Sequence, residues 1–338
     1  MKVMDGIIEQ ARKSPRKIVL CETEDLRTIK AALRANSEAI AHIILVGNSN
    51  NISMLLAECS PEPKTESLLQ NIEIIDPETS PLIEQLIPAL VKKREHRGMT
   101  PEKAAIALKD PLCFANMLVS IGYADGSVAG AVNTTADVVR SAIQLIGLAP
   151  NSKLVSSFFI MIMCQPFHTL KGGMIFSDCG LVINPNAEEL ADITMSASKN
   201  AQALLGVEPK VAMLSFSTNG SAKHAAVDKV VNAANIVKSN MPDLAIDEDV
   251  QLDAALVADI AAAKKPNSRV NGDSNVLIFP NLEAGNIGYK LAERMAQATA
   301  VGPLLQGLAK PANDLSRGCN ERDIFFVIAV TVVQAQTV

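Results

Sequence analysis

The sequence predicts an α/β protein made of two three-layer αβα domains with largely parallel sheets. Three observations carry this. Short apolar segments alternate with amphipathic helical ones along nearly the whole chain. Nearly half the residues are apolar, yet Trp is absent and aromatics are scarce, so the core is built from Ala, Val, Ile, Leu and Met, as suits helices packed on a parallel sheet. At 338 residues the chain is also long enough for two such domains.

Residues 1–17 read as a short amphipathic helix and a basic turn, without the continuous apolar core of a signal peptide. Strands are then expected at 17–21, 41–46 and 72–75, with helices at 25–35 and 81–94. Helices at 101–108 and 111–121, a Gly-interrupted strand at 124–131 and a helix at 135–146 follow. The segment Ala149-Pro150-Asn151-Ser152 is a boundary signal. Beyond it, 154–163 and 174–178 read as a hairpin-like strand pair, which implies a locally mixed sheet. Helices at 187–205, 221–238, 252–264 and 283–298 alternate with strands at 211–216, 244–246 and 276–279. A final apolar helix, 320–336, is placed back on the first sheet. The expected division is 1–148 with 301–338 as one discontinuous domain, and 149–300 as a second domain inserted into it.

The formal charge of −5, with both signs interspersed, argues against a nucleic-acid-binding surface. The six cysteines are scattered, with no C-x-x-C and no metal-type His spacing, which favours reduced thiols in a cytosol over a disulfide framework or a zinc site. The most apolar runs, 154–164 and 324–333, are too short to span a bilayer. A cytoplasmic protein without metal, nucleic-acid or membrane partners is expected.

The late run GPLLQGLAKPANDLSRGCNERD (302–323) concentrates chemistry. An apolar strand-like piece ends in a turn rich in Gly, Pro and Asn, which delivers the Ser316 hydroxyl, the Arg317 guanidinium and the Asp323 carboxylate where the last helix begins. A hydrogen-bond donor, an anion clamp and a proton acceptor are the parts an acyl- or phosphoryl-transfer site needs. The same spacing also suits an ordinary cap, Asn320 at the N-cap with Asp323 in the first turn. Gly130-Ala131-Val132-Asn133-Thr134-Thr135 brings a small-residue strand end to a helix N-terminus, an anion site; a plain Thr134 or Thr135 cap, with Arg140 solvated, competes with that. The basic stretch Arg94-Glu95-His96-Arg97-Gly98 reads as a charged helix C-terminus with Gly98 at C′. The segment 215–224, running from strand through a hydroxyl-rich loop to a helix, is compatible with phosphate or pantetheine binding but is not a P-loop. No G-x-G-x-x-G follows an early strand, which weighs against a nicotinamide dehydrogenase. Asp178 and Cys179, at a strand end, are expected to be buried and structural.

With these segments quoted, the chain resembles the phosphate acetyl/butyryltransferase family. The resemblance is densest in IFSDCGLVINPNAEELADITMSASKNAQALLG (175–206), KVAMLSFSTNGSAKH (210–224), and from VLIFPNLEAGNIGYK through GPLLQGLAKPANDLSRG (276–318). It implies an isocitrate/isopropylmalate dehydrogenase-like pair of domains with an interdomain cleft, usually a homodimer. It implies the reaction acetyl-CoA + phosphate ⇌ acetyl phosphate + CoA, with coenzyme A as substrate and no tightly bound cofactor or metal. The family's reactive serine, arginine and aspartate correspond to Ser316, Arg317 and Asp323, and its two further functional arginines to Arg94 and Arg140, with Thr134 and Thr135 beside the substrate. Asp323 is then expected to take the CoA thiol proton, Ser316 to stabilise the oxyanion and Arg317 to hold the acyl-phosphate oxygens. Which of Arg94 and Arg140 meets phosphate and which the CoA 3′-phosphate stays open.

Departures from the family pattern are Arg94-Glu95-His96-Arg97 where R-K-H-K is familiar, Asn133 where a bulkier residue is expected, Asp247-Glu248-Asp249 in place of Asp-Gly, and the insertion-like 170–173. None removes a proposed catalytic group, and they leave acyl-chain preference open. A covalent route through Cys319 and a non-catalytic CoA-binding regulatory role are the competing readings.

Overall fold

The computed structural model describes residues 2–59, 72–170 and 172–337. Met1 and Lys171, and with Lys171 part of the insertion-like stretch, lie outside them. In chain order the first strands are β1 (Arg16–Leu20), β2 (Ala41–Val46), β3 (Glu73–Ile75), β4 (Gly126–Ala129), β5 (Ser156–Met163) and β6 (Gly172–Ser177). Then come β7 (Lys210–Leu214), β8 (Ala245–Val250), β9 (Val276–Ile278), β10 (Thr299–Gln306) and β11 (Ala312–Asp314). The chain divides into two compact units, Met4–Pro150 with Leu308–Val338, and Asn151–Gly307 with Met1–Val3.

The unit carrying the termini of the sequence motifs has a five-stranded sheet in the order β11-β4-β1-β2-β3, every pairing parallel. Its strands read as apolar runs because helices cover both faces. Each helix starts where a side chain satisfies the first N–H groups. Asp25 accepts from the Arg27 N–H at the head of Leu26–Ser37, and Asp110 from Leu112 and Cys113 at the head of Pro111–Ile121. Gly122, at φ +85°, ends the latter, where a side chain would be strained. The final helix, Glu321–Ala335, is buried at every position from Ile324 to Gln334 and packs on Leu26–Ser37, β4 and β1. An all-round apolar helix is stable only in such a setting. Asn313 on β11 fastens it, donating to Thr331 Oγ1 at 2.9 Å and Gln334 Oε1 at 2.7 Å.

The other unit has a six-stranded mixed sheet, β10-β5-β6-β9-β7-β8. Strand β5 is antiparallel to both β10 and β6, as the hairpin reading anticipated, and the remaining pairings are parallel. Its core gathers Phe159, Met161, Phe176, Leu214, Leu277 and Phe279. Asp178 and Cys179 are buried there, and Asp178 accepts the backbone N–H groups of Ser157, Gly180, Leu181 and Val182, a structural use of the acid.

Four sequence expectations need correction. The chain returns to the first unit at Leu308, not at 301, because β10 pairs antiparallel with β5 through Gln306. The stretch read as a turn before Ser316 contains β11, three residues paired in parallel with Ser127–Ala129; so short a strand has no period to detect. The helix expected over 252–264 is two, Leu252–Leu256 and Ala258–Lys264, broken at Val257, which is extended at φ −129°, ψ 114°. The helix expected from 221 begins at Ala225, because the His224 ring accepts the Ala226 N–H as N-cap.

Candidate active site

In the five-stranded sheet β2 and β3 lie on one side of β1, and β4 and β11 on the other. The order in which strands are added therefore reverses between β1 and β4, and ligands of parallel α/β sheets bind beyond the carboxyl ends of strands at such a point. The segments that leave those ends here are 21–25 after β1, 130–135 after β4 and 315–320 after β11.

The first four backbone donors of the loop after β4 are already engaged. Glu22 accepts at Oε1 from the N–H groups of Gly130, Val132 and Asn133 at 2.9, 3.0 and 2.7 Å, and from the Asn133 side chain at 2.9 Å. Its Oε2 accepts from Ala131 at 2.7 Å. The part of the anion cradle legible at 130–133 is thus built, but the protein's own buried carboxylate fills it. Gly130 has to be glycine. Its φ is +115°, and a Cβ there would lie 2.4 Å from Asp314 Oδ1 and 2.5 Å from the Leu315 nitrogen.

The Leu315 N–H donates to Ala129 O at 2.8 Å, so the serine-bearing turn leaves the sheet alongside this loop. Ser316 and Arg317 are exposed, and the Ser316 carbonyl accepts the Cys319 N–H at 2.9 Å to close the turn. The anticipated cap is present as a reciprocal capping box. Asn320 Oδ1 accepts the Asp323 N–H at 3.1 Å, and Asp323 Oδ2 accepts the Asn320 N–H at 2.9 Å. Capping and catalysis are compatible here, because the exposed Asp323 side chain stands at the mouth of the helix with its carboxylate oriented by the box.

Arg27 joins these pieces. Its Nη1 donates to the carbonyls of Arg317 at 3.0 Å and Cys319 at 2.7 Å, and its Nη2 to Ala131 O at 2.9 Å and Asp25 Oδ2 at 2.6 Å. The guanidinium holds the Asp25 carboxyl below its usual range.

Thr134 caps the helix Thr135–Leu145, accepting the Asp137 N–H and donating to Asp137 Oδ2 at 2.7 Å. Arg140 pairs with Asp137 Oδ1 at 2.8 Å, both side chains well exposed. Next to it, Ser141 accepts from Asn116, which in turn accepts from Ser127 on β4, so this helix is pinned to the sheet. Arg94 is the last residue of Ile83–Arg94, a half-buried basic end closed by Gly98 at φ +72°. Arg94 and Arg140 line one cavity of about 340 Å³, together with Asp110, Cys113 and Asn133. A neighbouring cavity of about 270 Å³ is lined by Glu22, Asp25, Val132 and Asn133, and the two share Asp110, Leu112 and Asn133.

All seven residues singled out from sequence therefore lie in one unit, in two groups: Ser316 and Arg317 on the last turn with Asp323 at the head of the final helix, and Arg94 with Arg140 around one cavity, while Thr134 and Thr135 stand at the head of the helix that carries Arg140. Sequence reasoning missed Glu22, Arg27 and Asp314. The only available signal was position, since the acidic 22–25 segment directly follows a strand. Cys319 is buried and its thiol is pushed up to about 11, chiefly by burial, with the nearby Arg27 pulling the other way. Asp314 is buried and pushed up to about 6 by the same cause.

Residues 2–332 match the family model for phosphate acetyl/butaryl transferase. A phosphate acetyltransferase of Clostridium acetobutylicum is 47% identical over 336 residues, covering 99% of each chain. One of Thermoanaerobacterium thermosaccharolyticum is 48% identical over 337 residues, 99% of this chain and 100% of the other. The crystal structure of a phosphotransacetylase from Streptococcus pyogenes superposes with a TM-score of 0.93 at 38% identity, covering 100% of this chain and 99% of that one. With its parallel-sheet site and its end-to-end match, the chain belongs to the phosphate acetyl/butaryl transferase family of acyltransferases.

Proposed function

We propose that this protein catalyses acetyl-CoA + phosphate ⇌ acetyl phosphate + CoA, by direct attack of the CoA thiolate in a ternary complex. The observation that supports the reading is that the turn bearing Ser316 and Arg317 is tied by Arg27 to the loop after β4, at the carboxyl end of a parallel sheet, while Arg94 and Arg140 line a cavity that the same loop reaches through Asn133.

A thiol with a solution pKa near ~8.5 is mostly protonated at neutral pH and needs a base. Asp323, exposed and oriented by the capping box, takes that proton as sulfur attacks the acyl carbon. Ser316 donates to the oxyanion, a role worth roughly 2.7–4 kcal/mol for one good donor. Arg317 and the Thr135 hydroxyl hold the acyl-phosphate oxygens, while Thr134 is committed to its cap. Arg94 and Arg140 hold the anionic groups of CoA or phosphate. Arg140 moves to a phosphate at little cost, because an exposed ion pair such as the one with Asp137 is worth only about 0–1 kcal/mol. The reading carries a cytoplasmic homodimer as its setting, the oligomer being checked by light scattering.

The test is CoA-dependent release of phosphate from acetyl, propanoyl and butanoyl phosphate, with no metal added. Release fastest from acetyl phosphate is expected. Release fastest from butanoyl phosphate would move the assignment to the longer acyl chain, and no CoA-dependent release from any of the three would end it.

A further inference from the structure

Asp314 closes β11 two residues before Ser316 and is 1% exposed. Among the described residues neither of its carboxylate oxygens completes a hydrogen bond. Buried carboxylates are normally paired or hydrogen-bonded, because stranding one is costly, and such exceptions concentrate where chemistry uses them. The acid touches the Gly130 backbone on one side. The Thr135 hydroxyl and the Leu315 N–H lie near enough to favour its charged form in part, and Glu22 is the charged group whose field opposes them; burial outweighs both. Of the elements packed against β11, strand β4 presents Ser127, Val128 and Ala129, and the final helix presents Thr331 and Gln334, which Asn313 engages, none of which ionises; the helix Thr135–Leu145 carries Asp137 and Arg140, which are exposed and paired with each other.

The acetyl-transfer reading leaves one proton unassigned. When the bond between the acyl carbon and the bridging oxygen breaks, phosphate departs with an extra negative charge on that oxygen and becomes hydrogenphosphate only by gaining a proton. Asp323 cannot supply it while accepting the thiol proton. Resting on that reading, we propose that Asp314 supplies this proton through the Thr135 hydroxyl. The carboxyl O–H of Asp314 gives its proton to Thr135 Oγ1 as the Thr135 O–H passes its own to the departing oxygen.

The step balances. A C–S bond forms and a C–O bond breaks, one proton moves from sulfur to Asp323, and one moves from Asp314 to phosphate. Solvent then takes the first back and restores the second. The environments suit the division, since two carboxyl groups pushed apart in acidity mark an acid and a base. Asp314 is displaced toward its protonated form by burial and by Glu22, and a bound phosphoryl dianion adds to that. Asp314 touches no substrate in this scheme and acts through Thr135.

The experiment follows kcat and KM for the full chain, acetyl phosphate and CoA, from pH 5.5 to 8.5. Wild type is compared with Asp314→Asn, Thr135→Val and Thr135→Ser. In this direction the acid must carry its proton, so wild-type kcat falls on the alkaline side. Asp314→Asn is expected to lower kcat by about 10²-fold or more with KM for CoA unchanged, and to abolish the alkaline fall. Thr135→Val reproduces the loss, and Thr135→Ser, which keeps the hydroxyl, recovers most of it. Wild-type kcat with the alkaline fall intact in Asp314→Asn, or full turnover in Thr135→Val, overturns the proposal. Should Asp314→Asn fail to fold, the pH profile of Thr135→Val decides: loss of the alkaline fall in kcat supports the relay, and an alkaline fall retained at reduced kcat overturns it. Wild-type protein that releases no phosphate overturns the acetyl-transfer reading and this proposal together, whereas active wild type with unaffected variants overturns this proposal only.

Discussion

Arg27 donates through Nη1 to the carbonyl oxygen of Cys319 at 2.7 Å, tying the helix after β1 to the turn that presents Ser316 and Arg317. The same guanidinium reaches Ala131 on the loop after β4, so one planar group sets the spacing of two site loops. A lysine has the charge but lacks the fork.

Arg27→Lys is therefore expected to lower kcat with only a modest loss of stability. Arg27→Ala should lose about 1.5–3 kcal/mol as well, the value of hydrogen bonds to a charged group. Urea midpoints and kcat measured on both variants test this, and a Lys variant with normal turnover would show that the clamp is only structural.

Asp323 serves a cap and, in the proposed reaction, a base, and two substitutions separate the roles. Asp323→Asn keeps an oxygen able to accept the Asn320 N–H, so stability should stay within about 0.5 kcal/mol, while kcat falls about 10²–10⁴-fold and KM for CoA moves little. Asp323→Ala should add a loss of about 1 kcal/mol in melting experiments. Unimpaired kcat in the Asn variant would remove Asp323 from the chemistry.

Asp314 carries a stability signature of its own. Its folded-state value, pushed up to about 6 by burial, lies above the ordinary ~3.9 of the unfolded chain. The folded state thus binds the proton more tightly, and stability is lost as pH rises from about 4 through about 6. Asp314→Asn should gain about 2–3 kcal/mol relative to wild type between pH 4 and pH 7, while losing activity. Urea titrations at the two pH values read the difference, and parallel curves would refute an uncompensated buried carboxyl.

The buried Cys319 thiol, pushed up to about 11, is a poor source of thiolate, the reactive form. Cys319→Ala should turn over at close to the wild-type rate, and thiol reagents should modify the exposed Cys164 well before Cys319. Loss of turnover in Cys319→Ala together with an isolable acyl-thioester would instead favour covalent transfer.

Much of the fold could be read in the chain itself. Buried strands such as 41–46 and helices such as 111–121 announce themselves by apolar runs, periodicity and caps, all local properties. The three residues of β11 and the break at Val257 could not, because pairing with β4 and a single extended residue leave no periodic trace. Ser316, Arg317 and Asp323 were visible as a group because they sit within one turn of each other in sequence.

Sequence alone determined the alternation of strand and helix, the family and the grouping of polar residues in the last turn, since each depends on residues close together along the chain. Tertiary structure decided that Glu22 fills the anion cradle, that Arg27 spans two loops, and that Asp314 is buried beside Gly130 and Thr135. Those facts arise from contacts between segments far apart in sequence. Hydrogen bonding and desolvation act at a few ångströms, so only the folded arrangement reveals which distant groups meet.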